Sequence, residues 1–355
     1  MLSNEQLRQA VMVSFPGGDK DDITIIIDGL EIRSTATRIL RTLDTAADGW
    51  SASIPWMPGE NPELDKKLLP FAYPKTQVYI GKELQVSGYL YTVETQKSGN
   101  GIIKNLEGAS FTADIVDSHM KPPYERNNLD LKQVAEAIVK PLGISIIADT
   151  PYGGKFDRVT AEPDDTVFKH LSQLAVQRGV LISCTPQGGL LITKAIKSVP
   201  VAILEEDEQG AIEYKAKFDG RQRFNIYKAH GDSPDGQKVY TVKDSRIPAS
   251  RFHSFVADDT TKGDIIQAAK WRRSKQIAEA LTQQFPVVGW YTPKGELWQV
   301  NTMVTVKSAT MHIPDGYTFI IKAVEFKDEG GGKTAELSLV PFEVYSGEEF
   351  IDPWA

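Results

Sequence analysis

Cysteine is almost absent from this sequence, since Cys184 is the only one among 355 residues. A single thiol excludes a disulfide within the chain and suits folding in a reducing cytosol. Only five histidines accompany it, and they are scattered. A cysteine-rich zinc site is therefore not expected, and we predict that the protein uses no metal and no cofactor.

Long apolar runs and a targeting leader are missing as well. No stretch reaches 18 consecutive apolar residues, the length that marks a membrane-spanning helix. The N-terminus, residues 1–6, is polar and lacks the basic and then apolar order of a secretory signal. We therefore expect no stable membrane insertion.

Basic residues are fewer than acidic residues. Lysine and arginine number 40 against 47 aspartates and glutamates, which gives a formal net charge of −7. General nucleic-acid binding needs basic surface that displaces counterions from phosphates, so this class is disfavoured. One basic stretch, residues 270–275, is interpreted as the solvated face of a helix.

Recognisable catalytic signatures are also lacking. No Gly-x-Ser-x-Gly motif occurs, so the sequence has no sign of the strand-to-helix turn that carries a serine nucleophile. The tripeptide at 332–334 resembles the end of a phosphate loop, but Lys327 stands where that motif needs glycine. A strand rather than a helix is predicted after it, so residues 328–332 are predicted to form a hairpin tip.

Candidate acids and bases are no more informative. Two acidic pairs, Glu205/Glu206 and Asp258/Asp259, lie in polar segments where nothing would raise a pKa for acid catalysis. His170 follows a helical pattern on the side opposite Phe168, which predicts a surface or rim position. We therefore expect no catalytic residue and no enzyme.

What is present is a β-rich sequence around a helical middle. The length allows two or three domains, and the fold class predicted is α+β, mostly β. Two β-barrel-like domains are predicted to bracket a small α+β insert. The predicted units are an N-terminal arm (1–22), a first barrel-like domain (23–118), the insert (119–205, with 119–157 and 158–205 as two related lobes in one interpretation), a second barrel-like domain (206–345, with a helix near 263–284) and a tail (346–355).

The element pattern supports this division. A β-branched run at 23–29 closes on an Asp-Gly turn, and five prolines at 54–75 predict a long ordered excursion. In the insert, apolar residues recur at helical spacing after Asn128 and again after Asp165. Each of these two residues is predicted to cap a helix.

Many segments resemble the Mu-like phage baseplate hub proteins, in the order of that family, from about residue 20 to 345. They include Pro55-Trp56-Met57-Pro58-Gly59 and Gly295-Glu296-Leu297-Trp298. The others lie at 78–81, 114–118, 128–131, 141–144, 162–168, 188–194 and 289–290. The family is also similar to the N-terminal hub part of type VI secretion spike proteins.

The resemblance implies a homotrimer with two barrel-like domains per subunit, arranged as a ring with pseudo-six-fold symmetry. Such a ring would adapt a six-fold tail tube to a three-fold, membrane-piercing spike, which would be a separate polypeptide. Its partners would be other copies of itself, the tube protein, the spike and other baseplate proteins. DNA would pass through the channel without specific binding. The protein would be assembled in the host cytoplasm and reside in the virion tail baseplate.

Four aromatic residues flanked by proline and glycine, Trp56, Trp290, Tyr291 and Trp298, are candidate subunit contacts, because aromatic side chains are enriched at interfaces. Packing inside the core is an equally good interpretation of each.

Two other functions stay open. The stretch from Asp165 to Phe168, followed by Leu171 and Ala175, also resembles the start of a peptidoglycan-binding LysM repeat. A peptidoglycan-binding or cell-wall-degrading tail component is therefore the alternative. A predicted hairpin at 180–193 stands in place of the short closing strand of that module.

Overall fold

The computed structural model describes residues 21–99, 101–206, 215–231, 238–248, 250–256, 262–281, 283–330 and 332–346. The arm predicted at 1–22 therefore lies almost wholly outside the described residues. Nearly all of the tail predicted at 346–355 and the pair Asp258/Asp259 lie outside them too.

The first β-rich region contains seven strands and two short helices. The strands are β1 (Ile23–Ile27), β2 (Leu30–Ile32), β3 (Ala36–Thr42), β4 (Gly49–Pro55), β5 (Lys75–Ile80), β6 (Glu83–Ser98) and β7 (Gly101–Ser110). The helices are α1 (Pro62–Lys67) and α2 (Ala113–Asp117). Helix α1 lies in the proline-rich excursion, where the side chain of Asn61 caps its N-terminus.

The middle region is a compact α+β unit. Its elements are β8 (Glu125–Leu129), α3 (Leu131–Val139), β9 (Ile146–Ala148), β10 (Phe156–Thr160), α4 (Val167–Gln177), β11 (Leu181–Cys184) and β12 (Leu190–Thr193). Strand β9 pairs with β12, and β8 pairs with β10. Helices α3 and α4 bury their apolar faces in one core. The two halves considered as separate lobes therefore interleave in a single unit.

The last region carries the remaining elements. They are β13 (Ala202–Glu205), β14 (Lys215–Ala216), β15 (Ile226–Gly231), β16 (Lys238–Lys243), β17 (Phe252–Val256), α5 (Lys262–Ala280), β18 (Gln283–Val288), β19 (Met303–Ser308), β20 (Ile313–Asp328), β21 (Lys333–Pro341) and α6 (Glu343–Ser346). Among these, β15, β16 and β17 form a separate sheet that packs against α5.

One 13-stranded sheet unites the first and last regions. Its main path runs β14-β18-β21-β20-β3-β4-β7-β6-β5-β1-β2, and β19 and β13 branch from β20. A single apolar core draws residues from both regions, including Ile39, Trp50, Phe285 and Phe326. Because buried apolar area is the main stabilising term in folding, the two β-rich regions stabilise each other. The fold is α+β and mostly β, as predicted.

Several predicted boundaries differ from the structure. Strand β13 pairs with β19, so it belongs to the main sheet rather than to the insert. Helix α5 ends at Ala280 and β18 begins at Gln283, so the helix is shorter than the predicted 263–284.

Both predicted helix caps are wrong by one or two residues. Asp130 caps α3 through a capping box with Gln133, whereas Asn128 lies in β8 with φ of 56°. Thr166 caps α4, and the neighbouring Asp165 instead pairs with Lys169 at 2.6 Å. Periodicity located each helix, but several cap-forming residues precede each first turn and local hydrogen bonding selects among them.

Asp328, the last residue of β20, pairs with Lys333, the first residue of β21, which confirms the predicted hairpin tip. In the part of the chain that the structure describes, no helix has the length and apolar character needed to cross a membrane.

Candidate assembly interface

The main sheet contains the same arrangement of strands twice. Module A, defined here as β3-β4-β7-β6-β5-β1, has the same hydrogen-bonded order as module B, defined as β14-β18-β21-β20-β19-β13. Each module is built on a long hairpin whose first strand, β6 or β20, has 16 residues. The modules differ at the last strand, since β1 is antiparallel to β5 while β13 is parallel to β19.

Irregularities in the ladders occur at equivalent places in the two modules. The β5–β6 register shifts between Val78 and Tyr79, and the β19–β20 register shifts between Val306 and Ser308. Both shifts follow the fourth residue of a six-residue strand. Bulges of this kind are specific structural features, so their repetition indicates that the modules are structurally equivalent.

A second pair of bulges fixes the equivalence of the hairpins. The β6–β7 ladder shifts between Leu90 and Thr92, and the β20–β21 ladder shifts between Ile321 and Ala323. Tyr91 in module A is therefore equivalent to Lys322 in module B. A bulge bends its strand, so each long strand is divided here into a first and a second half.

The second half of β20 joins module B to module A. It pairs antiparallel with β3 from Ala323↔Thr42 to Asp328↔Thr37. The inward-facing pair Phe326 and Ile39 is fully buried. This junction is a continuous ladder over a buried apolar core.

On the other face of the same junction, Arg38 of β3 forms an ion pair with Glu329 at the hairpin tip. The hydrogen bond to Glu329 is the main reason that the pKa of Arg38 is raised. A basic residue of β3 thus pairs with an acidic residue of the hairpin tip, although Lys327 is its neighbour in the ladder.

In module A, the equivalent second half of β6 has one of its two edges unpaired among the described residues. Within the described residues, positions 92–97 of β6 pair only with β7, and all of them except Val93 are exposed. Strand β14, which lies at one end of the main sheet, pairs with β18 alone among the described strands. An unpaired strand edge is a template for pairing with another chain, so these two edges are candidate subunit contacts.

The predicted contact residue Trp290 lies in the core. It is 1% exposed, and its Nε1 donates to the carbonyl oxygen of Thr334 at 3.1 Å. Trp298 is 4% exposed in the same core. Since neither ring has surface left to offer a second subunit, core packing is the better interpretation of both.

Trp56 and Tyr291 are only partly buried and keep surface for a contact. The Nε1 of Trp56 donates to Asp65 Oδ1 at 2.7 Å, and Lys104 Nζ lies 4.2 Å from the centre of its ring. Burial is the main reason that the pKa of Tyr291 is raised to about 12. Their role at a subunit contact remains a prediction.

The proline-rich excursion presents large apolar side chains that the sequence analysis did not single out. Phe71 is 86% exposed and has φ of 63°, an uncommon conformation for a bulky residue. Met57, Leu69 and Tyr73 are also exposed. Clustered apolar side chains at a surface mark contact sites, and the strained backbone at an aromatic residue was the signal that only coordinates reveal.

The structure brings no catalytic constellation together among the residues it describes. No group of three or more histidine, cysteine or acidic side chains has the arrangement to hold a metal there. Burial raises the pKa of Cys184 to about 12, which keeps this thiol protonated and unreactive. Nearby, the buried Asp48 accepts a hydrogen bond from the backbone N–H of Thr42 at 2.8 Å and pairs with Arg41, which is a structural arrangement.

The predicted surface position of His170 is wrong. The residue is 2% exposed on α4, because this helix is covered by neighbouring elements on more than its apolar stripe. The acidic residues Glu205 and Glu206 contact β19 and the turn after it: Lys307 Nζ lies 2.7 Å from Glu205 Oε1, and Ser308 Oγ lies 3.1 Å from Glu206 Oε2.

Two segments of the chain match models of known protein families. Residues 112–194 match the family model described as baseplate hub protein gp44-like, second domain. Residues 261–348 match the model described as Mu phage baseplate assembly protein GpP, fourth domain. The first match includes the stretch that also resembles a LysM repeat.

A curated relative agrees with these matches. Baseplate hub protein gp44 of Escherichia phage Mu is 23% identical over 287 residues, which cover 76% of this chain and 75% of that protein.

Solved structures share the fold along nearly the whole chain. A 43 kDa tail protein of prophage MuSo2 from Shewanella oneidensis is 26% identical with a TM-score of 0.79, covering 91% of this chain and 99% of that one. A tail protein from Neisseria meningitidis is 20% identical with a TM-score of 0.80 over 93% and 99%.

The fold likeness extends to secretion systems. The Escherichia coli c3393 protein, described as a component of the type VI secretion system with structural similarity to phage T4 tail proteins gp27 and gp5, has a TM-score of 0.53 at 9% identity. It covers 92% of this chain and 79% of its own.

Proposed function

We propose that this chain, a member of the Mu-like baseplate hub protein gp44 family, acts as the trimeric central hub of a contractile phage tail. It is a phage baseplate hub protein and hence a component of the virion tail. In the proposed arrangement three copies form a ring, and the ring adapts a six-fold tail tube to a three-fold spike. Membership of a structural family supports a role without catalysis.

The observation that carries the proposal is the repeated module. Modules A and B have the same strand order and equivalent bulges. Three chains would thus supply six similar units, which is what a contact with a six-fold tube requires. Three identical chains would also match a three-fold spike, since closed homo-oligomers form when heterologous contacts repeat around an axis.

The proposed ring surrounds a channel through which DNA passes without specific binding. The formal net charge of −7 supports this part of the proposal, because like charges repel and would keep DNA from adhering to the wall. The tube protein, the spike and other baseplate proteins are the proposed partners.

The proposal is tested by mass. Native mass spectrometry or light scattering, with and without the separately produced spike protein, should give a species of about three times the 39.3 kDa chain. Concentration should be varied, because ring formation is concentration-dependent. A chain that stays monomeric in the presence of its spike would contradict the proposal.

A further inference from the structure

The equivalence of the two modules assigns a counterpart to each residue at the A–B junction. Aligning the bulged residues Tyr91 and Lys322 makes positions 92–97 of β6 equivalent to 323–328 of β20. The edge that β20 offers to β3 is therefore the same edge that β6 leaves open.

The partner strand can be aligned in the same way. Arg38 of β3 lies opposite Ser51, and Lys215 of β14 lies opposite Gln284. Ser51 pairs with Glu107, and Gln284 pairs with Ser338. Glu107 and Ser338 are equivalent, because each of them pairs with the first residue after the bulge in the long strand of its own hairpin. Lys215 is thus equivalent to Arg38, and β14 is the counterpart of β3.

We propose that β14 of one copy pairs antiparallel with the second half of β6 of the next copy, just as β3 pairs with β20 within the chain. The register follows from the alignment: Lys217 lies opposite Glu94, and Lys215 lies opposite Gln96. This inference rests on the proposed ring, and it names the surfaces that close it.

Charge on the two edges fits this pairing. The hairpin of module A carries Glu94 and Glu107, both exposed, with Lys97 further along β6, while β14 and the residue after it supply Lys215 and Lys217, also exposed. At the A–B junction Arg38 on β3 likewise pairs with an acidic residue, Glu329 at the hairpin tip. Opposite charges across neighbouring strands stabilise the pair, and like charges destabilise it.

The side chain of Glu94 is already oriented by its own hairpin. Asn105 Nδ2 donates to Glu94 Oε2 at 3.1 Å, which holds the carboxylate on the face where Lys217 would arrive. Lys217 has only a loose contact with Asp219, at 3.6 Å and with its side chain 74% exposed. It can therefore turn to a new partner at small cost.

The burial of equivalent side chains shows which residues the proposed pairing would cover. Phe326 is fully buried under β3, whereas Thr95, its counterpart, is exposed. Each copy has two different open edges, one carrying Glu94 and the other carrying Lys215 beside Lys217, so the contact is heterologous and propagates around an axis. A second copy of this chain is thus the occupant that the sheet edges fit.

The charge pair provides the first test. Glu94→Lys should raise the dissociation constant of the trimer tenfold or more, measured by analytical ultracentrifugation with spike present, because three contacts change at once. Lys217→Glu should do the same, and the double variant should restore assembly. Glu162→Lys, an exposed position on the insert, is the matched control and should assemble as the parent does.

Cross-linking provides a second test that does not depend on affinity. Gln96→Cys combined with Lys215→Cys should give a covalent trimer under mild oxidation, because these residues face each other in the proposed register. The native Cys184 is buried and does not interfere. Thr92→Cys with Lys215→Cys is the register control, since four strand residues displace the thiols by about 13 Å.

The outcomes separate this inference from the hub function. A trimer that ignores Glu94→Lys and yields no cross-link from the 96/215 pair would overturn the proposed contact and leave the hub role intact. Absence of any oligomer, with or without spike, would overturn both. Efficient cross-linking of the 92/215 control in place of the 96/215 pair would contradict the register.

Discussion

At the scale of single residues, His170 shows how burial and charge act together. It is 2% exposed, and its Nε2 has no hydrogen-bond partner in the described part of the chain. Burial is the main reason that its pKa is lowered, and Arg126 lowers it further, while Asp165 acts in the opposite direction. The imidazole is therefore kept neutral inside the fold.

This lowered pKa predicts a loss of stability in acid. The unfolded chain takes up the proton first, near the ordinary imidazole pKa of about 6.5. The stability is present above that pH and is lost as the pH falls towards the lower pKa of the folded state. Urea unfolding of the parent and of His170→Gln at several values between pH 7 and 5 should show a flatter dependence for the variant.

The control for this prediction is His312→Gln, because His312 is exposed. This variant should keep the pH dependence of the parent. An unchanged slope in His170→Gln would show that other groups carry the acid sensitivity.

At the scale of elements, the start of α3 allows a direct comparison of two capping residues. The Asp130 carboxylate accepts from the backbone N–H of Gln133 at 2.8 Å, and the Gln133 side chain accepts from the N–H of Asp130 at 3.1 Å. Asp130→Ala removes this capping box and should lower the free energy of unfolding by about 1 kcal/mol, measured by urea titration.

Asn128→Gly tests whether Asn128, the capping residue predicted from the sequence, contributes to stability. Its φ of 56° suits glycine, which adopts left-handed backbone without steric cost. The unfolding midpoint should stay the same or rise. A loss as large as that of Asp130→Ala would indicate that Asn128 is the functional cap after all.

The sequence predicted elements well where the pattern is local. Apolar spacing located α3 and α4, and a β-branched run located β1. The sheet of β15, β16 and β17 was not separated from the second β-rich region. Its central strand β15 pairs parallel with β17 and antiparallel with β16, and parallel pairing across a long connection leaves no turn signal to read.

At the scale of the whole molecule, the decisive contact joins residues far apart in sequence. Arg38 and Glu329 are 291 positions apart, yet they lie side by side where β3 meets β20. Alternation along a strand predicts which face is buried, but it does not predict which strand lies alongside. The sequence therefore predicted two β-rich regions, whereas their union in one sheet required coordinates.

Because the two modules share one sheet and one core, a destabilising substitution in one module should also destabilise the other. Phe326 is fully buried in the core shared by both modules, so Phe326→Ala should cost about 3–5 kcal/mol. Native-state hydrogen exchange should then accelerate in β3 and β4 as well as in β20 and β21, because the junction ladder loses its packing.

Leu171→Ala is the matched comparison, since Leu171 is equally buried but belongs to the separate core of the insert. Its cost should be about 2–5 kcal/mol, with faster exchange concentrated in residues 119–194 and little change in β3 or β20. Exchange that rises only in module B after Phe326→Ala would mean that the modules are stable independently. The ladder between β20 and β3 would then be a weak contact, and its counterpart between copies would have to draw its strength from the charged edges.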